Sequence, residues 1–264
     1  MSESSVTALI PAYNAQYTIE RALRSVVTQV GEVIVFDDGS SDDTAARVTR
    51  FPADNVRLIQ CEANQGIGLA RQRLIEACST DHAMWLDSDD EVLPGRVDDL
   101  LIQINRGAEW VFDAAELYDG ETKQRVRALP IPAFVTRPGA LAHQFARNYL
   151  PSLGGPLVLV RAARNIGYRP EFRQAEDYDH FLRALVAGHH IHCSPRIGYR
   201  QYHYGDSVSR AIETQAQYAV KALASVGVPN IHRILSQGDL SEDETRLIRC
   251  YVLARLCRWH ALDQ

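Results

Sequence analysis

Four short apolar runs alternate with helical patterns in the first third of the chain, and this alternation constrains the fold more than any other feature. The runs at 6–10, 33–36, 56–59 and 83–86 read as buried strands, and Pro11 is expected to stop the first. Helical spacing fills the segments between them, at 18–29, at about 42–49 and at 69–78. Short connections between such elements predict parallel pairing. We therefore expect an α/β fold with a mostly parallel sheet flanked by helices.

Polar or acidic turns follow three of the four strands, at 11–14, 37–40 and 87–90. The carboxyl ends of parallel strands meet at one edge of a sheet, and ligands bind just outside that edge. The sequence therefore predicts one binding site that combines these three turns.

The pattern becomes less regular beyond about residue 105. Strands are expected at 110–112 and 157–160, a hairpin turn at 118–121, and helices at 138–149 and 178–187. A capping box at 241–244 opens a final helix that runs to about residue 260.

Bulk composition narrows the class of protein. The chain has 264 residues and a formal net charge of −5, which argues against a nucleic-acid partner that is bound through its backbone charge. No apolar stretch approaches the length that a bilayer-spanning helix needs, and no signal peptide is visible. The five cysteines are odd in number and contain no C-x-x-C pair, so we expect a reduced, cytoplasmic setting and no zinc site.

Asp87, Ser88 and Asp89 come directly after the fourth strand. Carboxylates on alternate residues can share a divalent cation, and a cation there would offset negative charge on a phosphate-bearing ligand. The same residue types also form ordinary strand-to-helix turns, so the motif alone leaves both interpretations open.

The turn after the second strand carries Asp37 and Asp38, whose carboxylates can accept hydrogen bonds from a base or a ribose. Residues 42–44 fit a helix cap. A third motif, Asn64 to Arg71, opens a helix in which Arg71 could reach a phosphate or form a surface ion pair. It lacks the third glycine of a dinucleotide-binding fingerprint.

Glu176 and Asp177 begin the helix expected at 178–187. Asp177 has the chemistry of a general base that deprotonates a hydroxyl, and equally that of a helix cap. The histidines at 189–192 are interpreted as structural or surface residues. His203, in a tyrosine-rich segment at 199–209, could ligate a metal or contact a diphosphate.

The order of these motifs resembles that of family 2 glycosyltransferases of the GT-A fold. The matching stretches are Ile10-Pro11-Ala12-Tyr13-Asn14, Val35-Phe36-Asp37-Asp38-Gly39-Ser40-Ser41-Asp42, Asn64-x-Gly66-x-x-x-Ala70-Arg71, Trp85-Leu86-Asp87-Ser88-Asp89-Asp90 and Glu176-Asp177-Tyr178-Asp179. The resemblance spans about residues 6–210. Many relatives continue the arginine motif as Asn-x-Gly, whereas this chain has Gln72-Arg73-Leu74. It also lacks the Q-x-x-R-W signature, which argues against a processive polysaccharide synthase.

The resemblance implies a role for each motif. A nucleotide-sugar would be bound by Pro11, Tyr13, Asn14, Asp37, Asp38, Asn64, Gly66, Arg71, Asp87 and Ser88. Within that set Asp37 would hydrogen-bond the base, usually uracil, and Asp38 would support the same wall. Asp89 and His203 would hold Mn²⁺ or Mg²⁺, while Asp177 would be the catalytic base and Glu176 would flank the acceptor pocket.

The implied activity is transfer of a hexose-type sugar, with inversion, from a nucleoside diphosphate sugar to a hydroxyl acceptor. UDP is the expected nucleotide, and the acceptor would be a glycan, a lipid-linked glycan or a small molecule. Residues 1–105 would bind the donor, 106–235 would hold the acceptor and the base, and 236–264 would form a helical extension. The loop at 150–156 is expected to select the donor sugar.

Two other classes of protein stay open. A module of the same fold could bind a nucleotide-sugar without turnover. A haloacid-dehalogenase-type phosphotransferase could use Asp87 and Asp89, but it also needs a downstream lysine, and the candidate for it, Lys221, lies in no matching context.

The final helix leaves its partner undecided. It places Leu247, Tyr251 and Ala254 on one stripe with Arg255 and Arg258 nearby. Such a stripe can pack on the core, form a homodimer or make a peripheral contact with a membrane, and core packing is the default.

Overall fold

The computed structural model describes residues 6–137, 140–150, 154–205 and 212–262, and within them nine strands form a single sheet. The strands are β1 (Val6–Ala12), β2 (Glu32–Asp37), β3 (Val56–Gln60), β4 (His82–Trp85), β5 (Glu91–Val92), β6 (Trp110–Asp119), β7 (Arg125–Leu129), β8 (Leu157–Leu159) and β9 (Ile191–His203). The helices are α1 (Ile19–Val26), α2 (Thr44–Thr49), α3 (Ile67–Ala77), α4 (Arg96–Ile104), α5 (Ala133–Thr136), α6 (Val160–Ile166), α7 (Glu176–Ala187), α8 (Ile212–Val226), α9 (Val228–Gln237) and α10 (Glu242–Leu262), and a 3₁₀ helix spans Ala140–Phe145. The α/β class is confirmed.

The amino-terminal strands run parallel, as predicted. β1 pairs with β2 and with β4, and β2 pairs with β3. In this register Ala12 stands beside Asp37, and Leu9 stands beside Trp85. The turns that follow β1, β2 and β4 therefore lie at the same edge of the sheet.

The second half of the chain extends the same sheet with mixed pairing. β8 joins the two halves, because it runs antiparallel to β4 on one side and to β6 on the other. β6 also pairs in parallel with β9, and β5 pairs antiparallel with β9. The turn predicted at 118–121 connects β6 to β7 in an antiparallel hairpin. The division of the chain at residue 105, just after α4, stays a prediction.

Apolar spacing explains how the helices pack on this sheet. α1 buries Ile19, Ala22, Leu23 and Val26, which recur every three to four residues and so share one helix face. Burial of each large aliphatic side chain contributes about 1.5–3 kcal/mol. α7 begins at Glu176 and ends at Ala187, and Gly188 after it, with a φ of 84°, closes the helix in the left-handed conformation. The predicted start and end of this helix are thus correct to within two residues.

Two predicted boundaries are wrong. β1 does not stop at Pro11 but continues to Ala12, because its pairing with β4 ends at Leu9 and the proline sits where only β2 is a neighbour. The helix predicted at 138–149 is a short 3₁₀ helix, and residues 138–139 lie outside the described part. Gln144 Oε1 accepts the backbone N–H groups of Tyr149 and Leu150, so the chain turns here.

The final helix also differs from its prediction. The capping box is confirmed, since the Ser241 N–H donates to Glu244 Oε2 at 2.9 Å and the Glu244 N–H donates to Ser241 Oγ at 3.2 Å. However, Ile248 and Val252 are the buried residues, whereas the predicted stripe at Leu247, Tyr251 and Ala254 is exposed. Arg258 has no described side chain. Of the helices described, none is both long and apolar enough to cross a membrane.

Candidate active site

Hydrogen bonds tie the turn after β1 to the turn after β2. The Asn14 N–H donates to Ser40 Oγ at 2.9 Å, and Asn14 Oδ1 accepts the Ser41 N–H at 2.9 Å. Asn14 has a φ of 49°, a conformation that asparagine tolerates better than most residues. Pro11 is buried, but Tyr13 leaves 51% of its surface exposed. The Tyr13 ring is therefore available to stack on a planar ligand.

Asp37 and Asp38 are both buried at the end of β2, but their carboxylates accept hydrogen bonds from different backbone N–H groups. The Asp38 carboxylate accepts the N–H groups of Gln65, at 2.9 Å, and Gly66, at 2.8 Å. Asp37 Oδ1 accepts one longer hydrogen bond from the Ser40 N–H at 3.2 Å. Asp38 therefore fixes the loop before α3, while Asp37 has further acceptor capacity that a ligand could use.

Gly39 brings that loop against the turn after β2. Its φ is 72°, and a Cβ at this position would lie 2.5 Å from the carbonyl carbon of Ala63. Asn64 is exposed in the same loop, and Gly66 ends the loop at the start of α3. The close backbone approach explains why only glycine fits at position 39. It also joins the third predicted motif to the second.

Arg71 joins the third motif to the remaining two. This buried residue of α3 donates from Nε to Glu176 Oε1 at 2.8 Å and from Nη2 to Asp87 Oδ1 at 2.9 Å. Its guanidinium also lies 5.0 Å from the ring centroid of Trp85. Burial alone would lower the pKa of Arg71, but the two carboxylates outweigh burial and raise it. Arg71 is thus a fixed positive charge between the turn at 87–90, called the acidic turn below, and the start of α7.

Asp177 stands at the start of α7, beside the Arg71 pair. Ala175 before it has a φ of 53°, and the Tyr178 N–H donates to Asp177 Oδ1 at 2.6 Å. Burial, followed by the negative charge of Glu176, raises the pKa of Asp177 to about 7, although Arg71 opposes this. A carboxylate with this pKa can accept a proton near neutral pH, which is what a general base requires.

The turn at 87–90 concentrates negative charge. Burial and the Asp87 charge raise the pKa of Asp89 to about 6. Burial and the two neighbouring carboxylates raise the pKa of Asp90 well above its usual value, and Asp90 accepts the Tyr202 N–H at 2.8 Å. The Tyr199 hydroxyl accepts the Asp87 N–H at 3.1 Å. Strand β9 therefore holds this turn in place. Ser88 lies between Asp87 and Asp89 in the sequence.

Arg21 of α1 holds the same turn from another side. Its Nη2 donates to the Asp89 carbonyl oxygen and to the Tyr204 hydroxyl, the latter at 3.1 Å. The guanidinium also lies 3.8 Å from the Tyr202 ring centroid, within the range of a cation–π contact. Its positive charge opposes the rise in the pKa of Asp89.

The acidic turn fits a divalent cation that is shared with a bound phosphate. Crowded carboxylate oxygens suit Mg²⁺ or Mn²⁺, and Mg²⁺ is usually held by one or two carboxylates together with substrate phosphates. In the described ranges, no group of three or more His, Cys, Asp or Glu side chains could hold a metal ion. His203 is exposed at the end of β9, one residue after Tyr202, which bonds Asp90. Metal binding by Asp89 and His203 stays a prediction.

A pocket opens between Arg71 and α7. Its empty volume is about 400 Å³, and this figure includes the space that is open to solvent. Its lining combines charged groups with aromatic side chains: Arg71, Trp85, Asp87, Trp110, Phe112, Gly154, Gly155, Pro156, Tyr168, Asp177, His180 and Phe181. A lining of mainly apolar and aromatic side chains with a few charged groups is typical of a small-molecule site. Of the loop predicted to select the sugar, residues 151–153 lie outside the described part.

Several residues of this site were missed by sequence reasoning. Arg21, Tyr168 and His180 belonged to no motif, because aromatic and basic residues at helix or strand spacing look like ordinary packing. Trp85 and Tyr199 belonged to stretches that the sequence singled out, but neither was given a role. The predicted residues Arg71, Asp87, Glu176 and Asp177 do come together, and the turns at 11–14, 37–40 and 61–66 form a second group beside them.

Comparisons with known proteins identify the family and the fold of this chain. Residues 7–167 match the model of a family described as glycosyl transferase family 2. The succinoglycan biosynthesis protein ExoO of Rhizobium meliloti (strain 1021) is 31% identical over 223 residues, or 78% of this chain and 63% of that protein. A GalNAc(5)-diNAcBac-PP-undecaprenol beta-1,3-glucosyltransferase of Campylobacter jejuni is 31% identical over 113 residues, or 40% of this chain and 37% of that protein. The chain thus spans less than two thirds of the length of either relative.

A solved structure shows the same fold. S. aureus TarS 1-349 in complex with UDP-GlcNAc matches with a TM-score of 0.71, covering 95% of this chain and 72% of that chain at 18% identity. This likeness confirms the expected GT-A fold. The family model covers more than half of the sequence. The chain belongs to glycosyl transferase family 2.

Proposed function

We propose that this chain transfers a hexose-type sugar, with inversion, from a UDP-sugar to a hydroxyl of a glycan or a lipid-linked glycan. The observation that carries the proposal is the position of Arg71, which pairs with Asp87 of the acidic turn and Glu176 at the start of α7. Membership of the family supports sugar transfer. The names of the relatives support a polysaccharide or undecaprenol-linked acceptor, and the UDP-GlcNAc complex of TarS supports a uridine nucleotide.

The donor would be bound by the turns at the sheet edge. In this proposal the exposed Tyr13 stacks on the base, Asp37 accepts hydrogen bonds from it, and Pro11, Asn14 and Asp38 shape the same wall. The loop with Asn64 and Gly66 borders this nucleotide pocket. Arg71, Asp87 and Ser88 lie towards the diphosphate and the sugar.

The carboxylate of Asp177 would accept the proton of the attacking acceptor hydroxyl. A single displacement needs a base on the acceptor side of the sugar and compensation of the negative charge on the departing diphosphate. Its pKa of about 7 lets Asp177 be deprotonated before the reaction and protonated after it. Glu176 holds Arg71 in place, so that the charges around the base stay fixed.

Asp89 and His203 are the residues that would hold Mn²⁺ or Mg²⁺ next to the diphosphate. A bound cation supplies positive charge that stabilises the leaving nucleoside diphosphate. Crowding of negative charge at Asp87, Asp89 and Asp90 supports this role.

Thermal shift measurements with UDP, dTDP and their sugars, with and without Mn²⁺, test the proposal. We expect stabilisation by a uridine nucleotide that depends on the metal, and we expect Asp89→Ala to lose that dependence. Asp177→Asn should keep the nucleotide shift and lose transfer by about 100-fold or more. Absence of stabilisation by any uridine or thymidine nucleotide would contradict the proposal.

A measurement of sugar transfer distinguishes the two functions that retain support, which are an active transferase and a binding module of the same fold. A nucleotide-sugar-binding module without catalysis would bind UDP with metal but transfer no sugar to any acceptor in a broad panel. Membership of a glycosyltransferase family leaves the phosphotransferase hypothesis without support. Whether the final helix forms a homodimer or contacts a membrane stays open to measurement of mass in solution and of binding to vesicles.

A further inference from the structure

Three aromatic rings form one continuous wall of the pocket. The rings of Tyr168 and His180 stack with centroids 4.1 Å apart and planes 6° apart, and Trp85 meets Tyr168 edge-on at 5.2 Å. All three residues line the pocket that also contains Asp87 and Asp177. Trp85 and His180 are 0% and 2% exposed, so polar atoms in their rings are out of reach of bulk water.

The hydrogen bond at one nitrogen of His180 determines what the other nitrogen can do. Nδ1 lies 3.0 Å from the carbonyl oxygen of Gly167, which only accepts hydrogen bonds, so Nδ1 carries the proton. Burial lowers the pKa of His180 to about 3, which keeps the ring neutral. Nε2 therefore presents a lone pair. It is buried, and no group in the described part of the chain hydrogen-bonds to it.

Trp85 presents the complementary atom. Its Nε1–H can only donate a hydrogen bond, and this atom too is buried without a partner among the described residues. A buried polar atom without a partner costs free energy, so two of them in one pocket wall suggest a ligand group that satisfies both. A hydroxyl is such a group, since it can donate to one atom and accept from the other.

We propose that this wall binds one hydroxyl of a pyranose ring, with Trp85 Nε1 as the donor to it and His180 Nε2 as the acceptor from it. The two side chains would then select the sugar by the position of that hydroxyl. The inference rests on the proposed function, since it assigns the sugar of the transfer reaction to this pocket. The hydroxyl belongs either to the donor sugar or to the acceptor sugar, and the experiment has an arm for each.

The donor arm uses isothermal titration calorimetry of the full chain with Mn²⁺. UDP, UDP-glucose, UDP-galactose and UDP-GlcNAc are titrated first, and then the deoxy analogues of the tightest-binding sugar at each hydroxyl. We expect one deoxy position to weaken binding to the wild-type protein by about tenfold or more, because it leaves buried polar atoms unpaired. In His180→Phe and in Trp85→Phe the penalty at that position should fall below about threefold, while the affinity for UDP stays the same.

The acceptor arm uses methyl pyranosides and their deoxy analogues on UDP-saturated protein, with binding observed by ligand NMR. A position-specific penalty that disappears in both variants supports the inference in either arm. Equal penalties in the wild-type protein and both variants, in both arms, would overturn it and would assign the two ring nitrogens to an enclosed water. Failure of the proposed function looks different, since no nucleotide would then bind in the first titration, and the inference would fall with it.

Folding of the variants is separable from their effect on binding. His180→Phe keeps the stacked ring and removes an unpaired atom, and the Gly167 carbonyl retains its hydrogen bond from Arg183 Nη2 at 2.7 Å. We therefore expect this variant to melt at or above the wild-type temperature. The matched control is His143→Phe, a buried histidine that pairs with Glu244 and lies outside the pocket lining. Its deoxy penalties should equal those of the wild-type protein.

Discussion

Arg71 Nε lies 2.8 Å from Glu176 Oε1, although 105 positions separate the two residues in the sequence. Each side chain is 8% exposed, so the ion pair is shielded from solvent. Arg71 Nη2 donates to Asp87 Oδ1 at 2.9 Å, and the Asp87 side chain is 40% exposed. The turn at 87–90 and the helix that carries Asp177 are therefore fixed to each other by one guanidinium.

Replacement of Arg71 should damage both stability and activity. In Arg71→Leu the buried Glu176 carboxylate loses its partner, and removal of one member of a buried pair costs about 3–5 kcal/mol. We expect a loss of that order in the free energy of unfolding, measured by urea denaturation. Sugar transfer should be lost as well, because the start of α7 is no longer held beside the acidic turn.

Arg73→Leu is the matched control on the same helix. Arg73 pairs with Glu76 at 3.4 Å, but both side chains are about half exposed, and such surface pairs contribute less than about 1 kcal/mol. Equal losses of stability in the two variants would show that the buried pair has no special weight.

The rate of transfer should rise with pH. Asp177 must be deprotonated to accept a proton, and its pKa is about 7. We expect kcat/KM to be half-maximal near that pH and to level off above it. Glu176→Gln removes a negative charge that raises the pKa of Asp177, so the midpoint in this variant should move to lower pH. A midpoint that lies near pH 4 in the wild-type protein would contradict the assignment of the base.

Asp177→Asn should stabilise the protein above neutral pH. The folded pKa of Asp177, about 7, lies above its ordinary value of 3.8, so its favourable contribution to stability is complete below the ordinary value and is lost as pH rises through about 7. Asparagine carries no charge and avoids this loss. Part of that loss has already occurred at pH 5, which lies above 3.8, so we expect the variant's gain in unfolding free energy to be about 1–3 kcal/mol larger at pH 8.5 than at pH 5.

Asp179→Asn, two residues further along α7, should have the opposite effect. Asp179 is 0% exposed and accepts from Arg183 Nε at 2.9 Å and from Ser225 Oγ at 3.0 Å. Its loss should destabilise the protein at both pH values. A gain of stability in this variant would show that burial alone governs the response, and not the ion pair that Asp179 makes with Arg183.

Local sequence patterns were enough to predict the strands of the amino-terminal half of the fold. β1, β2 and β4 are buried along nearly their whole length and contain continuous apolar runs, so they were recognisable. β9 was not, because its 13 residues include Pro195 and exposed polar positions, and its register with β6 shifts near Asp113. Long-range pairing, which no local pattern encodes, decided that strand.

The candidate site shows the same division. The sequence placed Asp37 and Asp87 at the ends of strands and Asp177 at the start of a helix, and the structure has them at those positions. The geometry that gives these carboxylates different surroundings could not be predicted from the sequence. The raised pKa of Asp177 depends on burial and on Glu176, and the fixed position of Arg71 depends on a partner more than a hundred residues away.

Gly155→Ala should deform the pocket from its wall. A Cβ at this position would lie 2.2 Å from the Trp85 carbonyl oxygen and 2.4 Å from Trp85 Cβ, so the backbone must move. The Gly155 carbonyl oxygen also accepts from Arg96 Nη2 at 2.6 Å, and Arg96 pairs with Asp113 in the core. We expect a loss of about 1–3 kcal/mol in unfolding free energy, as overpacking of a close contact costs. The KM for the nucleotide-sugar should rise while the affinity for UDP changes little, because the clash moves Trp85 and not the turns proposed to contact the base. Gly205→Ala is the control, since among the described residues a Cβ there would meet Glu121 Oε1 alone, at an ordinary 3.7 Å. If both variants keep wild-type stability and KM, then Gly155 does not set the position of the pocket wall.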